Sequence, residues 1–135
     1  MEKRGCESFQ GGTYVQRNAA PKSLDKPKPD IVIRCGPDDS KGDRRNFIDD
    51  PIVVVEVLSP STMDYDRGSK LIFYKSLPTL QHIVIVYQDE MRMEHCKRTD
   101  EGWVMEVLTK PKDVLELSAV AFKLTTGETY SGVEV

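Results

Sequence analysis

Ile52-Val53-Val54-Val55-Glu56-Val57-Leu58 is a run of six aliphatic residues interrupted by one carboxylate. An apolar run this short and this continuous reads as a strand covered on both faces, as in a parallel sheet. The chain is therefore built around a buried sheet. Glu56 is the anomaly in that strand, because a charge taken out of water persists only when something neutralises it. A metal ion, a cationic side chain or a proton would each serve.

Upstream, Pro29-Asp30 opens a second apolar run, Ile31-Val32-Ile33, which reads as a strand with an acid at its entry. Period-two alternation puts Glu56 on one strand face with Val54 and Leu58. If the two strands are neighbours, Asp30 and Glu56 point into one cleft at the strand ends. Two carboxylates and a backbone carbonyl make a hard oxygen site suited to Mg²⁺ or Mn²⁺, with positions left for water and phosphate oxygens. Lys70 follows on the next element, where Asp66, Lys70 and Tyr74 recur every four residues on one helix face. Such a lysine would orient the attacking water and contact the phosphate. Plainer readings stand beside these. Glu56 could reach water at a strand end, Asp30 could cap the strand entry, and Lys70 could pair with Asp66 for about 0.3–0.5 kcal/mol.

Further outward, Pro21, Pro27 and Pro29 make residues 21–29 an extended connector. Gly11-Gly12-Thr13-Tyr14-Val15-Gln16 allows a short strand behind a glycine turn. Residues 36–50 are polar and form an exposed loop, and the spacing of Asp38, Asp39 and Asp43 does not match an EF-hand. Ser61 and Asp64 resemble a capping box, so a helix starts near residue 62 and ends by Pro78. Ile83-Val84-Ile85-Val86-Tyr87 reads as a central strand. Residues 91–97 and 103–108 form a hairpin turning at Asp100-Glu101-Gly102, with Trp103 a packed strand aromatic. A short strand over 114–117 precedes a turn or brief helix after Thr125. The order gives an α/β (α+β) fold, a mixed β-sheet with one principal helix and a C-terminal β-hairpin region, in one domain over residues 1–135.

The chain has 135 residues, 39% hydrophobic and 30% charged, with a net charge of −3. That composition describes an ordinary globular chain, and no stretch is long and apolar enough for a transmembrane helix. Residues 1–6 lack the apolar segment of a secretory signal. Cys6, Cys35 and Cys96 are odd in number and form no CxxC pair, which favours reduced thiols and a cytoplasmic location. Arg92, Lys97 and Arg98 read as a solvated surface patch, as do Lys22, Lys26 and Lys28, and Lys41, Arg44 and Arg45. His82 and His95 lie in separate segments without metal-ligand spacing. GxSxG, Walker and dinucleotide motifs are absent from the sequence.

Pro29-Asp30-Ile31-Val32-Ile33-Arg34-Cys35-Gly36, Val54-Val55-Glu56-Val57-Leu58-Ser59-Pro60-Ser61-Thr62 and Asp64-Tyr65-Asp66-Arg67-Gly68-Ser69-Lys70 with Tyr74 together resemble the Uma-two family. Leu77-Pro78-Thr79-Leu80, Gly102-Trp103 and Tyr130-Ser131-Gly132-Val133-Glu134 continue the likeness, over about residues 29–135. The family looks like part of the PD-(D/E)XK restriction-endonuclease superfamily. The resemblance implies a restriction-endonuclease-like sheet and metal-dependent hydrolysis of phosphodiester bonds in DNA. It implies Asp30, Glu56 and the Val57 carbonyl as metal ligands, and Lys70 as the catalytic lysine displaced from the place where Leu58 stands. Tyr74 is a supporting residue. Family members usually carry more structure ahead of the first acid than these 29 weakly patterned residues, which suggests a truncated N-terminal part and pairing into a homodimer. The alternative is a catalytically inactive remnant of the fold, acting as an interaction or oligomerisation module.

Overall fold

The computed structural model describes residues 5–10, 14–15, 29–36, 47–59 and 63–132, the side chains of residues 14, 15, 47 and 63–66 excepted. The calcium question at Asp38, Asp39 and Asp43, the capping Ser61, the connector ahead of Pro29 and the Asp66 side chain lie outside the described residues, as do the patches from Lys22 to Lys28 and Lys41 to Arg45.

In chain order the strands are β1 (Glu7–Gln10), β2 (Tyr14–Val15), β3 (Ile31–Arg34), β4 (Phe47–Ile48) and β5 (Val53–Leu58). Helix α1 (Met63–Lys75) follows, then β6 (His82–Tyr87), β7 (Met93–Thr99), β8 (Gly102–Leu108), β9 (Val114–Leu117), β10 (Phe122–Thr125) and helix α2 (Thr126–Thr129). Six strands form the main sheet in the order β1-β3-β5-β6-β7-β8. β5 and β6 are parallel and the other neighbours antiparallel, so the sheet is mixed, as the sequence order implies. The β5–α1–β6 crossover makes that parallel pair possible, because parallel strands need a long connection.

Both faces of the sheet are covered. α1 lays Tyr74 over one face, where Val54, Leu58, Ile83 and Ile85 are buried, and Leu77 and Leu80 behind it close the same cluster. The other face holds Val53, Val84 and Met93 under the β9–β10 hairpin, which contributes Leu115 and Leu117. Period-two alternation along β5 and β6 therefore feeds two cores, the physical reason those runs are apolar throughout. The brief helix after Thr125 is present with a capping box, in which Thr125 Oγ1 accepts from the Glu128 N–H and Glu128 accepts from the Thr125 N–H. Tyr130 fastens it to the sheet by donating to the Tyr87 carbonyl at 2.6 Å.

Three local expectations are corrected. β1 and β10 are strands absent from the sequence reading; β1 has no apolar alternation, and in β10 only Phe122 and Leu124 alternate, so pairing with β3 and β9 defines both. Phe47 and Ile48 interrupt the supposed loop over 36–50 with a two-residue strand beside β2. Cys6 and Cys35 are joined in a disulfide with Cα atoms 3.8 Å apart, rather than reduced. They are the next opposed pair beyond Glu7 and Arg34, and that register is invisible in the spacing of the cysteines along the chain. Cys96 is a buried free thiol.

Candidate active site

β3 runs antiparallel to β5, so the start of one lies beside the end of the other. Asp30 occupies that corner, one residue ahead of β3. Its N–H donates to the Val55 carbonyl at 3.0 Å, and its Oδ2 accepts from the Val57 N–H at 2.7 Å. The β3–β5 pairing stops at Val55, and the carboxylate takes the Val57 N–H beyond it. The strand-entry cap is thus realised, and the same contact holds an exposed acid beside Glu56.

Glu56 is buried, with 2% of its surface exposed. It does not reach out to water, and two donors from α1 meet it instead. Lys70 Nζ lies 3.2 Å from Oε1, and the Tyr74 hydroxyl donates to Oε2. The four-residue spacing puts both side chains over one point of β5, and Lys70 keeps 28% of its side chain exposed. Burial raises the Glu56 carboxyl above its ordinary value, against the Tyr74 hydrogen bond and the Lys70 charge, while the charge of Asp30 adds to the rise. Tyr74 is pushed upward by burial first and by Glu56 second, so it remains a protonated donor.

The structure thus brings Asp30, Glu56, Lys70 and Tyr74 together at the carboxyl end of the parallel pair, where open α/β sheets commonly bind their ligands. Among the described residues no group of three or more His, Cys, Asp and Glu side chains could hold a metal ion. Two carboxylates are enough for Mg²⁺, which keeps several waters and needs few protein ligands. In an extended strand the N–H and carbonyl of one residue point to the same edge, so the Val57 carbonyl faces the Asp30 side. The donor set is hard oxygen and fits that cation.

Two further polar groups were not legible in the sequence. Register pairs Glu56 with Ile85 and Ile85 with Glu94, so both glutamates stand in one row on the α1 face. Glu94 is buried, and four donors from three side chains meet it. Arg67 Nε donates to Oε1 at 2.7 Å, while Arg92 Nη2 and Nε and the Tyr87 hydroxyl donate to Oε2 at 2.9, 3.3 and 3.0 Å. Burial works against this charge, but the hydrogen bonds from Arg92, Arg67 and Tyr87 outweigh it and hold the carboxyl below its ordinary value. Arg92 is therefore no member of a solvated patch. Nor is Arg98, which stacks 4.6 Å over the Trp103 ring and donates to the Leu80 and Leu77 carbonyls at 2.7 Å each.

On the opposite face the two histidines meet. His82 Nδ1 and His95 Nε2 are 2.9 Å apart, and His95 Nδ1 is 2.9 Å from Glu106 Oε2. The Ala119 N–H donates to His82 Nε2 at 3.2 Å. That donation assigns the tautomers of the neutral pair: His82 carries its proton on Nδ1 and passes it toward His95, which passes its own toward Glu106. No metal-ligand spacing was needed to join them, because register sets His95 two positions from Lys97, the residue opposite His82, and so on the same face of the sheet.

The sequence profile of Uma2, a family described as "Putative restriction endonuclease", matches residues 2–127. An uncharacterised Synechocystis protein, slr1290, is 34% identical over 105 residues, covering 78% of this chain and 54% of that one. A second, sll1609, is 26% identical over 91 residues, covering 67% of this chain and 51% of the relative. The chain spans about half the length of the curated relatives it matches. A crystal structure from Anabaena variabilis, titled as a "putative nuclease belonging to DUF820", superimposes with a TM-score of 0.73 at 16% identity, over 95% of this chain and 69% of that one. At that identity the likeness concerns the fold.

Proposed function

The chain belongs to the Uma2 family of "Putative restriction endonuclease" proteins, and from that premise we propose that it is a Mg²⁺- or Mn²⁺-dependent endonuclease hydrolysing phosphodiester bonds in DNA. The observation that carries the reading is the convergence of Asp30, Glu56 and Lys70 on one corner of the sheet, with Lys70 Nζ 3.2 Å from Glu56.

Asp30 and Glu56, with the Val57 carbonyl, would hold the cation. When bound there, a divalent ion supplies a water of lowered pKa and offsets charge on the phosphate. The residues of the chain do the rest. Tyr74 fixes the Glu56 carboxylate and favours its ionised form. Lys70 is partly exposed, and it reaches the site from a helix rather than from β5, where Leu58 faces the core. It orients the attacking water and contacts the scissile phosphate. Because burial raises the Glu56 carboxyl, cation uptake strengthens as pH rises through that value.

Supercoiled plasmid and single-stranded DNA, incubated with Mg²⁺, Mn²⁺ or EDTA, test the reading beside Glu56→Ala and Lys70→Ala. Metal-dependent cleavage lost in both variants supports it. Cleavage that EDTA leaves untouched, or that survives in both variants, refutes it. Intact DNA under every condition favours the non-catalytic module instead.

A further inference from the structure

We propose that Arg67 and Arg92, held on the buried Glu94, form a phosphate-binding subsite for the nucleic-acid strand beside the candidate metal corner. The inference rests on the nuclease reading of that corner and deepens it.

Glu94 follows Ile85 and Glu56 in one row across the sheet, so it stands two strand spacings from Glu56, roughly 10 Å away. Arg67 precedes Lys70 by three residues on α1, so the two cations share a helix face. Arg92 immediately precedes β7, which runs antiparallel to β6, and this puts it at the same sheet end as Asp30 and Lys70. Acids that hold the cation, then Lys70, then two arginines therefore follow one another along one edge of the fold.

The burial pattern separates the arginines from their counter-ion. The Glu94 side chain is 3% exposed, whereas those of Arg67 and Arg92 are 28% and 34% exposed. Two guanidiniums share one carboxylate, so the group carries a net charge of about +1 on its accessible side. Glu94 uses Nε of Arg67, and Nε and Nη2 of Arg92. Arg67 Nη2 also meets the weak acceptor Met105 Sδ at 3.9 Å, and the Tyr87 side chain interacts with both guanidiniums from the sheet side. Arg92 is further steadied 5.3 Å over the Tyr87 ring. Guanidiniums oriented from behind by a buried carboxylate, and partly exposed on the outer side, suit a phosphodiester oxygen.

The test is binding, measured apart from cleavage. Labelled single-stranded DNA, duplex DNA and RNA of one sequence are titrated with the full chain across a KCl series, with Ca²⁺ replacing Mg²⁺. One lost phosphate contact lowers the slope of log K against log salt by about 0.9 on duplex DNA and about 0.7 on single strands, equivalent to roughly eightfold and fivefold weaker binding at 0.1 M salt relative to 1 M. Arg92→Gln is expected to show that loss, and Arg92→Lys to recover most of the slope. Glu94→Gln keeps both arginines and removes their counter-charge, so it should hold or steepen the slope even where thermal stability drops. An unchanged slope in Arg92→Gln, or a slope lost in Glu94→Gln despite a folded protein, overturns the subsite. No binding by the unmodified chain overturns it too. Cleavage by the unmodified chain with an unchanged Arg92→Gln slope sinks the subsite alone. Arginine-dependent binding without any cleavage leaves the subsite standing and sinks the nuclease reading.

Discussion

Tyr74→Phe removes one hydroxyl and leaves the ring that packs beneath α1. The Tyr74 hydroxyl donates to a carboxylate that is 2% exposed, so water cannot replace it freely. A hydrogen bond to a charged group contributes about 1.5–3 kcal/mol and one between neutral groups about 0.5–1.5 kcal/mol. The cost of the substitution therefore depends on whether Glu56 is ionised. Burial raises the Glu56 carboxyl, and the Tyr74 hydrogen bond is the largest influence opposing that rise. Removing it lifts the carboxyl further, and the folded variant binds its proton to a higher pH than the unmodified chain does. The sign follows: an acid raised in the folded state loses stability as pH climbs from the unfolded value toward the folded one. The variant loses more over a wider range. Urea denaturation in EDTA should give a deficit of about 1 kcal/mol at pH 4.5 and about 2 kcal/mol at pH 8. A deficit equal at both pH values, or larger at pH 4.5, would refute the picture of an ionised carboxylate fixed by this hydroxyl.

His82 is lowered to about 4 by burial first, then by His95 and Lys97. The unfolded state therefore takes up a proton near pH 6.5 that the folded state refuses until about 4, and stability present above 6.5 drains away as pH falls between them, by a maximum of about 3 kcal/mol. Denaturation at pH 7.5 and 5 should show this drop shrink in His82→Gln, and an equal drop in both proteins would count against it. The disulfide predicts one titratable thiol, Cys96, in the unreduced denatured chain and three after reduction; the crosslink is worth about 3–4 kcal/mol for a loop of this length, and three thiols before reduction would contradict the pairing. Arg98→Ala removes a charged donor from the Leu80 and Leu77 carbonyls, of which Leu77 keeps the Leu80 N–H at 3.3 Å, and should cost about 2–3 kcal/mol, with a loss below 0.5 kcal/mol by thermal melting as the contrary result. β8 pairs with no described strand on its outer edge and exposes Val104, Met105 and Val107; light scattering should detect a dimer that Val104→Lys/Val107→Glu dissolves, and a monomer across micromolar concentrations would contradict it.

Strong local patterns were readable. The continuous runs at 52–58 and 83–87 and the turn at 100–102 are strands and a hairpin because burial on both faces, or a tight glycine turn, leaves a mark in consecutive residues. The helix carrying Lys70 and Tyr74 was readable from four-residue recurrence. β1 and β10 were not, since Glu7–Gln10 and Phe122–Thr125 owe their conformation to partners distant in sequence. The Arg67–Glu94–Arg92 group escaped for a related reason. Its members come from a helix, a strand and a turn, and a glutamate in Met93-Glu94-His95-Cys96 looks like an ordinary half-buried position until two registers carry it into the Glu56 row.

The sequence by itself determined that a carboxylate sits inside an apolar strand, that a second acid opens another, and that a lysine and a tyrosine share one helix face. Those are local properties of alternation and helical spacing, and residue order carries them whole. The tertiary structure alone decided that the acids share a corner, that Glu56 is paired with Lys70 and hydrogen-bonded by Tyr74, and which charges are buried or left facing outward. Cross-strand register and the docking of α1 set those relations, and both come from contacts between segments that no single stretch of the chain encodes.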